Sequence, residues 1–500
     1  MEVISGMLGG LQEVFKWSNL FYCFAGCFIG TLVGVLPGIG PVGAMSILMP
    51  VTLGMSAQSA VMMMAGIFYG AMYGGSRSSI LVNIPGEATA IVTCFDGYPM
   101  AKKGRAGAAL GMSAFACFIA GSLGVAGLMF LVFPLADAAL KFGPPEYFAL
   151  ISLSLVALTF LSSGSFVRAM MMVFFGLLLG TVGLDQTSGA PRFTFGCGSL
   201  LDGFNLVTVA MGLFGVTEVM NLIAEPEGGF NYKEKIKGIF PTWADWKKCF
   251  GPISRSTIIG FLLGILPGAG VIMATFMTYT AEKKLSKHPE EFGKGAIEGV
   301  AAPEAAHTAA AAGSFVPLLA LGIPGNITMG LLLGALIVHG VTPGPLLMTQ
   351  HPEIFWGVIA SMYLGQVMLV ILNVPLVGLW AKVAMVPGRI LIPVILLCCL
   401  IGAYSTNNSG VDVVIMTCFG IMGFLLRKFG YELAPLVLAL LLGPLLETNF
   451  RNALTMSDGS FMIFATRPIS GVVLAVAVVL LILGGFSNVR KSALKKASGR

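Results

Sequence analysis

Residues 32–52, LVGVLPGIGPVGAMSILMPVT, decide the fold class, because Pro37, Gly38 and Gly40 interrupt an apolar run that then resumes. A Pro-Gly step inside hydrocarbon leaves backbone N–H and C=O groups without helical partners. Such groups are costly unless protein, water or a solute satisfies them. The stretch therefore predicts a broken membrane helix whose free backbone groups face a polar cavity.

The rest of the chain has the composition of an integral membrane protein. Of its 500 residues, 56% are hydrophobic and only 10% are charged, and the mean hydropathy is +0.90. Apolar runs are spread along the whole chain, so we expect an all-α polytopic protein with about 12 transmembrane segments. With four histidines and no Cys-x-x-Cys pair, the sequence predicts no cofactor and no metal ion beyond a sodium ion.

Charge and hydropathy divide the chain into five segments. We expect an amphipathic helix on the membrane surface at 1–18, a first membrane repeat at 19–223 and a basic cytoplasmic loop at 224–254. A second membrane repeat follows at 255–486, and a basic cytoplasmic tail at 487–500. The net charge of +6 lies mostly in such connecting segments, so it indicates orientation in the bilayer and not nucleic-acid binding.

Two motifs occur twice in the same order. LPGIG at 36–40 returns as LPGAG at 266–270, 230 residues later, and NIPGE at 83–87 is echoed by GIPGN at 322–326, 239 residues later. In the first half the connector after the first motif lacks Lys and Arg while the one after the second is basic, and the second half reverses this. Swapped charge predicts inverted-topology repeats that enclose a site near the membrane midplane.

The predicted substrate site combines the interrupted helices with small polar residues around the second motifs. A helix interruption offers free N–H groups to a carboxylate and free carbonyl oxygens to a cation. We expect 73–90 and 302–326 to form re-entrant hairpins. The residues assigned to substrate binding are Pro37, Gly38, Gly40, Ser76, Arg77, Ser78, Ser79, Asn83, Pro85, Gly86, Pro267, Gly268, Gly270, Pro324, Gly325 and Asn326.

Four residues are candidates for binding the coupling ion, which would be Na⁺ or a proton. They are Glu304, His307, Thr308 and Ser314. An ionisable side chain inside a membrane is costly unless it faces a polar cavity or a partner charge. On the same grounds Arg77 is assigned to a substrate carboxylate. The alternatives are close helix packing for the small residues and a hydrogen bond across the helix for His307.

Other function classes fit less well. GIGPVG at 38–43 matches the dinucleotide fingerprint, but it follows a membrane helix, contains Pro41 and has no acidic residue up to position 65. A membrane-embedded enzyme would need a catalytic constellation, and neither G-x-S-x-G nor H-E-x-x-H occurs, so we expect no enzyme. A channel stays open as an alternative, because the same polar interruptions could line a pore.

Five segments in collinear order resemble the large membrane subunit of the tripartite tricarboxylate transporter family. They are GVLPGIGPVGAMSILMP, YGGSRSSILVNIPGEATAIVTCFDGYPMAKKGRAGAALG, GLDQTSGAPRFTFG, APEAAHTAAAAGSFVPLLALGIPG and TRPISGVV. The resemblance covers nearly the whole chain. The chain departs from the family pattern at one point. In the family, PEAA is usually followed by paired asparagines, whereas here it is followed by His307 and Thr308.

The resemblance implies a multi-pass symporter of the bacterial inner membrane. Such a protein imports citrate-like or other carboxylates and is driven by a sodium or proton gradient. It lies in the lipid bilayer and acts with a small membrane subunit and a periplasmic solute-binding protein.

Overall fold

The computed structural model describes residues 2–36, 40–83, 85–160, 165–185, 188–224, 236, 238–266, 270–383, 386 and 388–497. The side chains of residues 2–4, 139, 388 and 486–497 lie outside this description. The described chain is almost entirely helical. Its one small sheet pairs β1 (Gly183–Leu184) antiparallel with β2 (Pro191–Arg192).

The helices of the first half are α1 (Glu2–Val14), α2 (Trp17–Val35), α3 (Gly40–Leu48), α4 (Ala57–Val82), α5 (Ile91–Met100), α6 (Ala106–Ala139), α7 (Pro144–Phe160), α8 (Phe166–Gly180), α9 (Leu206–Ala210) and α10 (Thr217–Ala224). Those of the second half are α11 (Trp243–Ile265), α12 (Gly270–Leu285), α13 (Glu298–Leu321), α14 (Ile327–Val338), α15 (Leu347–Gln350), α16 (Pro352–Asn373), α17 (Val377–Val383), α18 (Gly388–Asn407), α19 (Gly410–Lys428), α20 (Ala434–Met456), α21 (Ile463–Thr466) and α22 (Pro468–Ala497). Short 3₁₀ helices cover Met49–Gly54, Ala88–Ala90, Gly198–Leu200 and Pro289–Glu291, and π-type turns cover Ala101–Arg105 and Met211–Val216.

Seven stretches among the described helices are long and apolar enough to cross a membrane by length and composition. Four further apolar helices are shorter, 10–17 residues each. The chain is thus an all-α polytopic membrane protein. The expected number of about 12 crossings and the five-segment division of the chain stay predictions.

The quoted stretch forms two helices, α2 and α3, which are arranged as a helical hairpin, a geometry that the prediction of a broken helix did not specify. Near the starts of α2 and α4, Ser59 donates a 2.6 Å hydrogen bond to Asn19, and towards the end of α2 Gly34 meets Ala71 in α4. The two helices therefore run parallel, and α3 with the 3₁₀ helix after it must carry the chain back to the starting end. Gly40, with φ of +60°, takes the left-handed conformation at this reversal, which glycine adopts without steric cost.

The second motif region repeats the hairpin. Arg255 in α11 pairs with Glu282 in α12 through two hydrogen bonds of 2.8 and 2.5 Å. Close to the turn, a Cβ on Gly270 would lie 2.2 Å from the carbonyl oxygen of Leu263. The two limbs of α11 and α12 are therefore antiparallel neighbours.

Helices α4 and α13 are the central helices of the molecule. Every residue from Ser59 to Leu81 and from Gly299 to Ala320 is buried. Both helices are continuous and end in a left-handed residue, Asn83 in α4 and Gly322 in α13. The expected re-entrant hairpins at 73–90 and 302–326 begin as continuous helices up to Val82 and Leu321, and the loop after α4 then folds back so that Gly86 lies against Gly75.

The two motif-bearing units, α2–α6 and α11–α16, make the same close helix contacts at the motif offsets. A Cβ on Gly34 would lie 2.1 Å from the carbonyl oxygen of Ala71, and one on Gly264 would lie 2.1 Å from that of Ala310. These pairs are separated by the same 230 and 239 residues as the motifs. We call α2–α6 the first unit and α11–α16 the second unit.

A second pair of contacts obeys the same offsets. A Cβ on Gly74 would lie 2.3 Å from the carbonyl oxygen of Thr31, and one on Gly313 would lie 2.4 Å from that of Phe261. Small residues are what allow two membrane helices to approach this closely. The repeat seen in the motifs is therefore also present in the packing.

The units exchange helices. Helix α6 of the first unit packs against α13, and α16 of the second unit packs against α4. Cys117 in α6 lies 3.5 Å from the carbonyl oxygen of Glu304, and Tyr73 in α4 donates a 2.9 Å hydrogen bond to Gln366 in α16. Helices α7, α8, α20 and α22 form a separate bundle beside this core.

The units also touch at both ends of the central helices. At the start of α13, one oxygen of Asp96 accepts hydrogen bonds of 2.7–2.9 Å from the N–H groups of Gly293, Gly295 and Ala296. Its other oxygen accepts one of 2.8 Å from Tyr279. Before the start of α4, a ring nitrogen of His339 lies 2.9 Å from the carbonyl oxygen of Thr52.

Candidate functional site

In the first unit, the loop after α4 folds back against the hairpin. A Cβ on Gly86 would lie 2.1 Å from the carbonyl oxygen of Gly34 and 2.6 Å from the Cα of Gly75. Gly40 faces the same loop, because a Cβ there would lie 3.8 Å from the Cβ of Glu87. The structure thus brings Gly40 and Gly86 together, while Pro37 and Gly38 lie outside the described residues.

The hydroxyls predicted to bind substrate already have partners. Ser76, Ser78 and Ser79 each donate to a main-chain carbonyl oxygen at 3.0–3.3 Å. Ser79 lies 3.0 Å from a second one, that of Ala90. Because a hydroxyl keeps acceptor lone pairs after its hydrogen is used, these side chains can offer oxygens to a cation more readily than hydrogens to a carboxylate.

The second unit has an equivalent loop from Gly322 to Asn326. The side chain of Asn326 accepts a 2.9 Å hydrogen bond from the N–H of Met329 and so caps α14. Glu87 occupies the matching position in the first unit with the same extended backbone. Within this loop, Pro324 and Gly325 are buried. Pro267 and Gly268 lie outside the described residues.

Two of the predicted ion ligands bond back to their own helix. Thr308 donates to the carbonyl oxygen of Glu304 at 3.1 Å, and Ser314 donates to that of Ala311 at 2.7 Å. Both hydroxyls are buried. Their role with a coupling ion stays a prediction.

A polar cluster lies between the two units, centred on Glu304. One carboxylate oxygen accepts a 2.5 Å hydrogen bond from Thr93 in α5, and the other accepts one of 2.7 Å from Ser113 in α6. The thiol of Cys117 lies 3.3 Å from the second oxygen. A fully buried carboxylate is thereby held by three side chains of the other unit.

Arg77 belongs to this cluster. Its Nη1 donates a 2.8 Å hydrogen bond to Ser113, which in turn donates to Glu304, so one hydroxyl bridges the two charges. The guanidinium carbon also lies 5.7 Å from the ring centroid of Tyr73. Nε and Nη2 are buried and have no hydrogen-bond partner. These two atoms form the edge of the guanidinium that binds a carboxylate with two parallel hydrogen bonds.

His307 is the third ionisable member. It is fully buried, and neither ring nitrogen has a hydrogen-bond partner. One ligand atom of His307 lies within 4.8 Å of the Cys117 thiol and the Glu304 carboxylate. The structure therefore brings Arg77, Glu304 and His307 together, as ionisable groups that can hold an anion, a cation or a proton.

Sequence reasoning missed the residues that position these charges, Thr93, Ser113 and Cys117. Ser113 and Cys117 stand in the apolar run of α6, Thr93 lies beside Cys94 near the start of α5, and 187 residues separate Cys117 from Glu304. The packing of α5 and α6 against α13 brings them together. No spacing in the sequence could have indicated this contact.

Comparison with known proteins identifies the family. Residues 20–438 match the model of the tripartite tricarboxylate transporter TctA family. The chain belongs to this family. A relative in Agrobacterium vitis, described as an uncharacterized 52.8 kDa protein in the TAR-I ttuC' 3' region, is 48% identical over 491 residues and 98% of both chains.

A second relative comes from the same organism. An uncharacterized protein in the TAR-II ttuC' 3' region is 50% identical over 231 residues, which are 46% of this chain and 96% of that protein. No solved structure matches the chain. Membership of the TctA family makes the protein a component of a membrane transporter.

Proposed function

We propose that this TctA-family protein is the translocating subunit of a secondary transporter that imports tricarboxylates or other carboxylates. The observation that carries the proposal is the buried, unpartnered Nε–Nη2 edge of Arg77. An unpaired cationic edge in the core of a membrane protein is costly unless a carboxylate or comparable anion meets it. The edge lies between the two units, where a carrier has to hold its solute.

We further propose that the two units are inverted relative to each other. The start of α13 lies beside Asp96, near the end of α5, and the connector before α4 lies beside His339, just after α14. Helices α4 and α13 therefore begin at opposite ends of the core. Alternating access then follows from movement of one unit against the other around the central cluster.

The proposed assembly lies in the bacterial inner membrane and contains a small membrane subunit and a periplasmic solute-binding protein. A tripartite family name supports these partners in general. The binding protein delivers the carboxylate, and a gradient of Na⁺ or of protons drives symport. The basic loop at Lys102 and Lys103 faces the cytoplasm by its charge.

Uptake of labelled citrate and a panel of other carboxylates tests the proposal. It is measured in the native bacterium with and without the gene, under imposed sodium or proton gradients. We expect saturable, gene-dependent uptake of at least one carboxylate that follows one of the gradients. Uptake that is gene-dependent but unsaturable would favour a channel, and no gene-dependent uptake of any panel member would contradict the proposed substrate class.

A further inference from the structure

The contact between His339 and Thr52 requires more hydrogens than a neutral imidazole has. Nε2 of His339 lies 2.9 Å from the carbonyl oxygen of Thr52, and Nδ1 lies 2.8 Å from that of Ala335. Both partners are main-chain carbonyl oxygens, which only accept hydrogen bonds. A neutral imidazole carries a single N–H, so one of the two contacts would set a lone pair against an oxygen.

We propose that His339 is a proton-binding site at the contact between the two units. With a second proton, both ring nitrogens donate, and the imidazolium joins the end of α14 to the connector before α4. Loss of that proton removes one of the two hydrogen bonds. The contact between the units is therefore made with a proton bound and weakened without it.

The elements packed around His339 carry few other ionisable residues. Residues 40–63, which include the connector and the start of α4, contain no Asp, Glu, Lys, Arg or His, and α14 has no ionisable residue. Helix α18, which packs on the connector, carries Arg389, Cys398, Cys399 and Tyr404. The neighbouring His351 pairs with Glu353 at 3.4 Å.

The ionisable residues of the remaining neighbours of α14 have partners or positions elsewhere. On α20, Glu447 and Arg451 pair with each other, and they join Arg192 and Asp185 in one network. On α4 and α13, Arg77, Glu304 and His307 belong to the central cluster. Helix α9 has no ionisable residue.

The opposite contact does not share this property. Asp96 is fixed by three main-chain N–H groups and the hydroxyl of Tyr279, and no cation takes part in these bonds. The two ends of the core therefore differ, since only the end with His339 has an imidazole that needs a second proton to make both of its hydrogen bonds. The consequence for transport rests on the proposed function: opening at that end is favoured by alkaline pH.

The proton itself can be observed by ¹⁵N magic-angle-spinning NMR of the full-length protein in lipid vesicles. The chain has four histidines, so histidine labelling gives few signals. At pH 6 we expect the signal of a ring with both nitrogens protonated and hydrogen-bonded. This signal should be absent in His339→Gln and retained in the matched control His351→Gln. A bare nitrogen on His339 at pH 6 would overturn the proposal, whatever the outcome of the uptake measurements.

A labelling experiment tests the contact. The Thr52 side chain is buried, while that of Leu53 beside it is 40% exposed. The labelling rate of Thr52→Cys is divided by that of Leu53→Cys, which cancels the intrinsic pH dependence of thiol reactivity. We expect the ratio to rise several-fold from pH 6 to pH 8.5, and to be high and independent of pH when His339→Gln is added. A ratio that stays constant with pH in the presence of His339 would contradict the inference.

Discussion

Arg77 shows how a charged residue persists in an apolar core. Its side chain is only 1% exposed, yet the countercharge Glu304 is reached through the Ser113 hydroxyl and not by direct contact. One edge of the guanidinium is satisfied in this way and the other is open. The residue thus combines a structural hydrogen bond with free capacity for an anion.

Replacement of Arg77 by Gln separates these two roles. Loss of a charge-assisted carboxylate contact of about 1.5–3 kcal/mol lowers apparent affinity by roughly 10- to 100-fold. We expect carboxylate uptake, normalised to the amount of protein in the membrane, to fall by that order. Arg168→Gln is the control, because Arg168 is an exposed arginine that donates to the carbonyl oxygens of Phe429 and Gly430 and lies 5.6 Å from the ring centroid of Tyr431. A loss of uptake that merely follows a loss of membrane protein would assign Arg77 a purely structural role.

Asn83 ends α4 at φ of +60°, where the second unit has Gly322 at φ of +70°. Asn83→Gly keeps this backbone and should leave the melting temperature in detergent unchanged, whereas Asn83→Ala strains it by about 1 kcal/mol. We expect reduced uptake from both variants, and from Ser79→Ala, if the first-unit loop binds solute. Normal uptake by Asn83→Gly and Ser79→Ala would exclude the Asn83 amide and the Ser79 hydroxyl from the site.

At this scale the sequence indicates which residues are unusual but not which of them meet. Arg77, Glu304 and His307 stand out because charge is rare in apolar runs. Their positioning partners do not, since Ser113 and Cys117 look like ordinary small residues of a membrane helix. His339 likewise gives no signal until its ring is seen between two carbonyl oxygens.

The element scale is dominated by close helix contacts through small residues. Helices α2 and α4, and likewise α11 and α13, approach so closely that backbone carbonyls occupy the places of missing side chains. Inside a membrane the hydrophobic effect does not drive helices to associate, because lipid tails are as apolar as the helices. Dispersion and weak Cα–H hydrogen bonds stabilise such contacts instead. The glycines are therefore required by geometry.

Substitution of these glycines provides a matched pair of tests. Gly34→Ala and Gly264→Ala place a methyl group on a carbonyl oxygen and should each destabilise the protein by about 1–3 kcal/mol, because the backbone has to move. Thermal unfolding in detergent measures both. Gly9→Ala in α1 is the control, since a Cβ there meets nothing within 4 Å. Equal melting temperatures for all three variants would contradict the packing.

The helices also show what the Pro-Gly motifs leave undetermined. Pro-Gly motifs indicate an interruption, but the residues cannot tell whether the chain reverses or continues after it. Between α2 and α3 it reverses, and after Asn83 the loop first folds back against Gly75 before α5 begins. The outcome depends on which helix packs beside which, and that is set by close glycine contacts along α2 and α4, such as Gly26 with Met63 and Gly34 with Ala71.

On the scale of the whole molecule, the proposed inversion predicts sidedness. Single cysteines at Leu53 and Lys103 should react with membrane-impermeant reagents from opposite faces, and one at Lys287 should react from the same face as Lys103. The exposed native Cys197, Cys398 and Cys418 are first replaced by Ser. Reaction of Leu53→Cys and Lys103→Cys from one face would refute the inversion.

The exchange of α6 and α16 between the units has a consequence for synthesis. As the chain leaves the ribosome, Ser113 enters the membrane long before its partner Glu304, which follows 191 residues later. Arg77 and Ser113 spend that interval without the carboxylate they share. The nascent first half is therefore an incomplete structure, whose polar groups are exposed to the insertion machinery. These groups are buried only after the chain has been translated through α16.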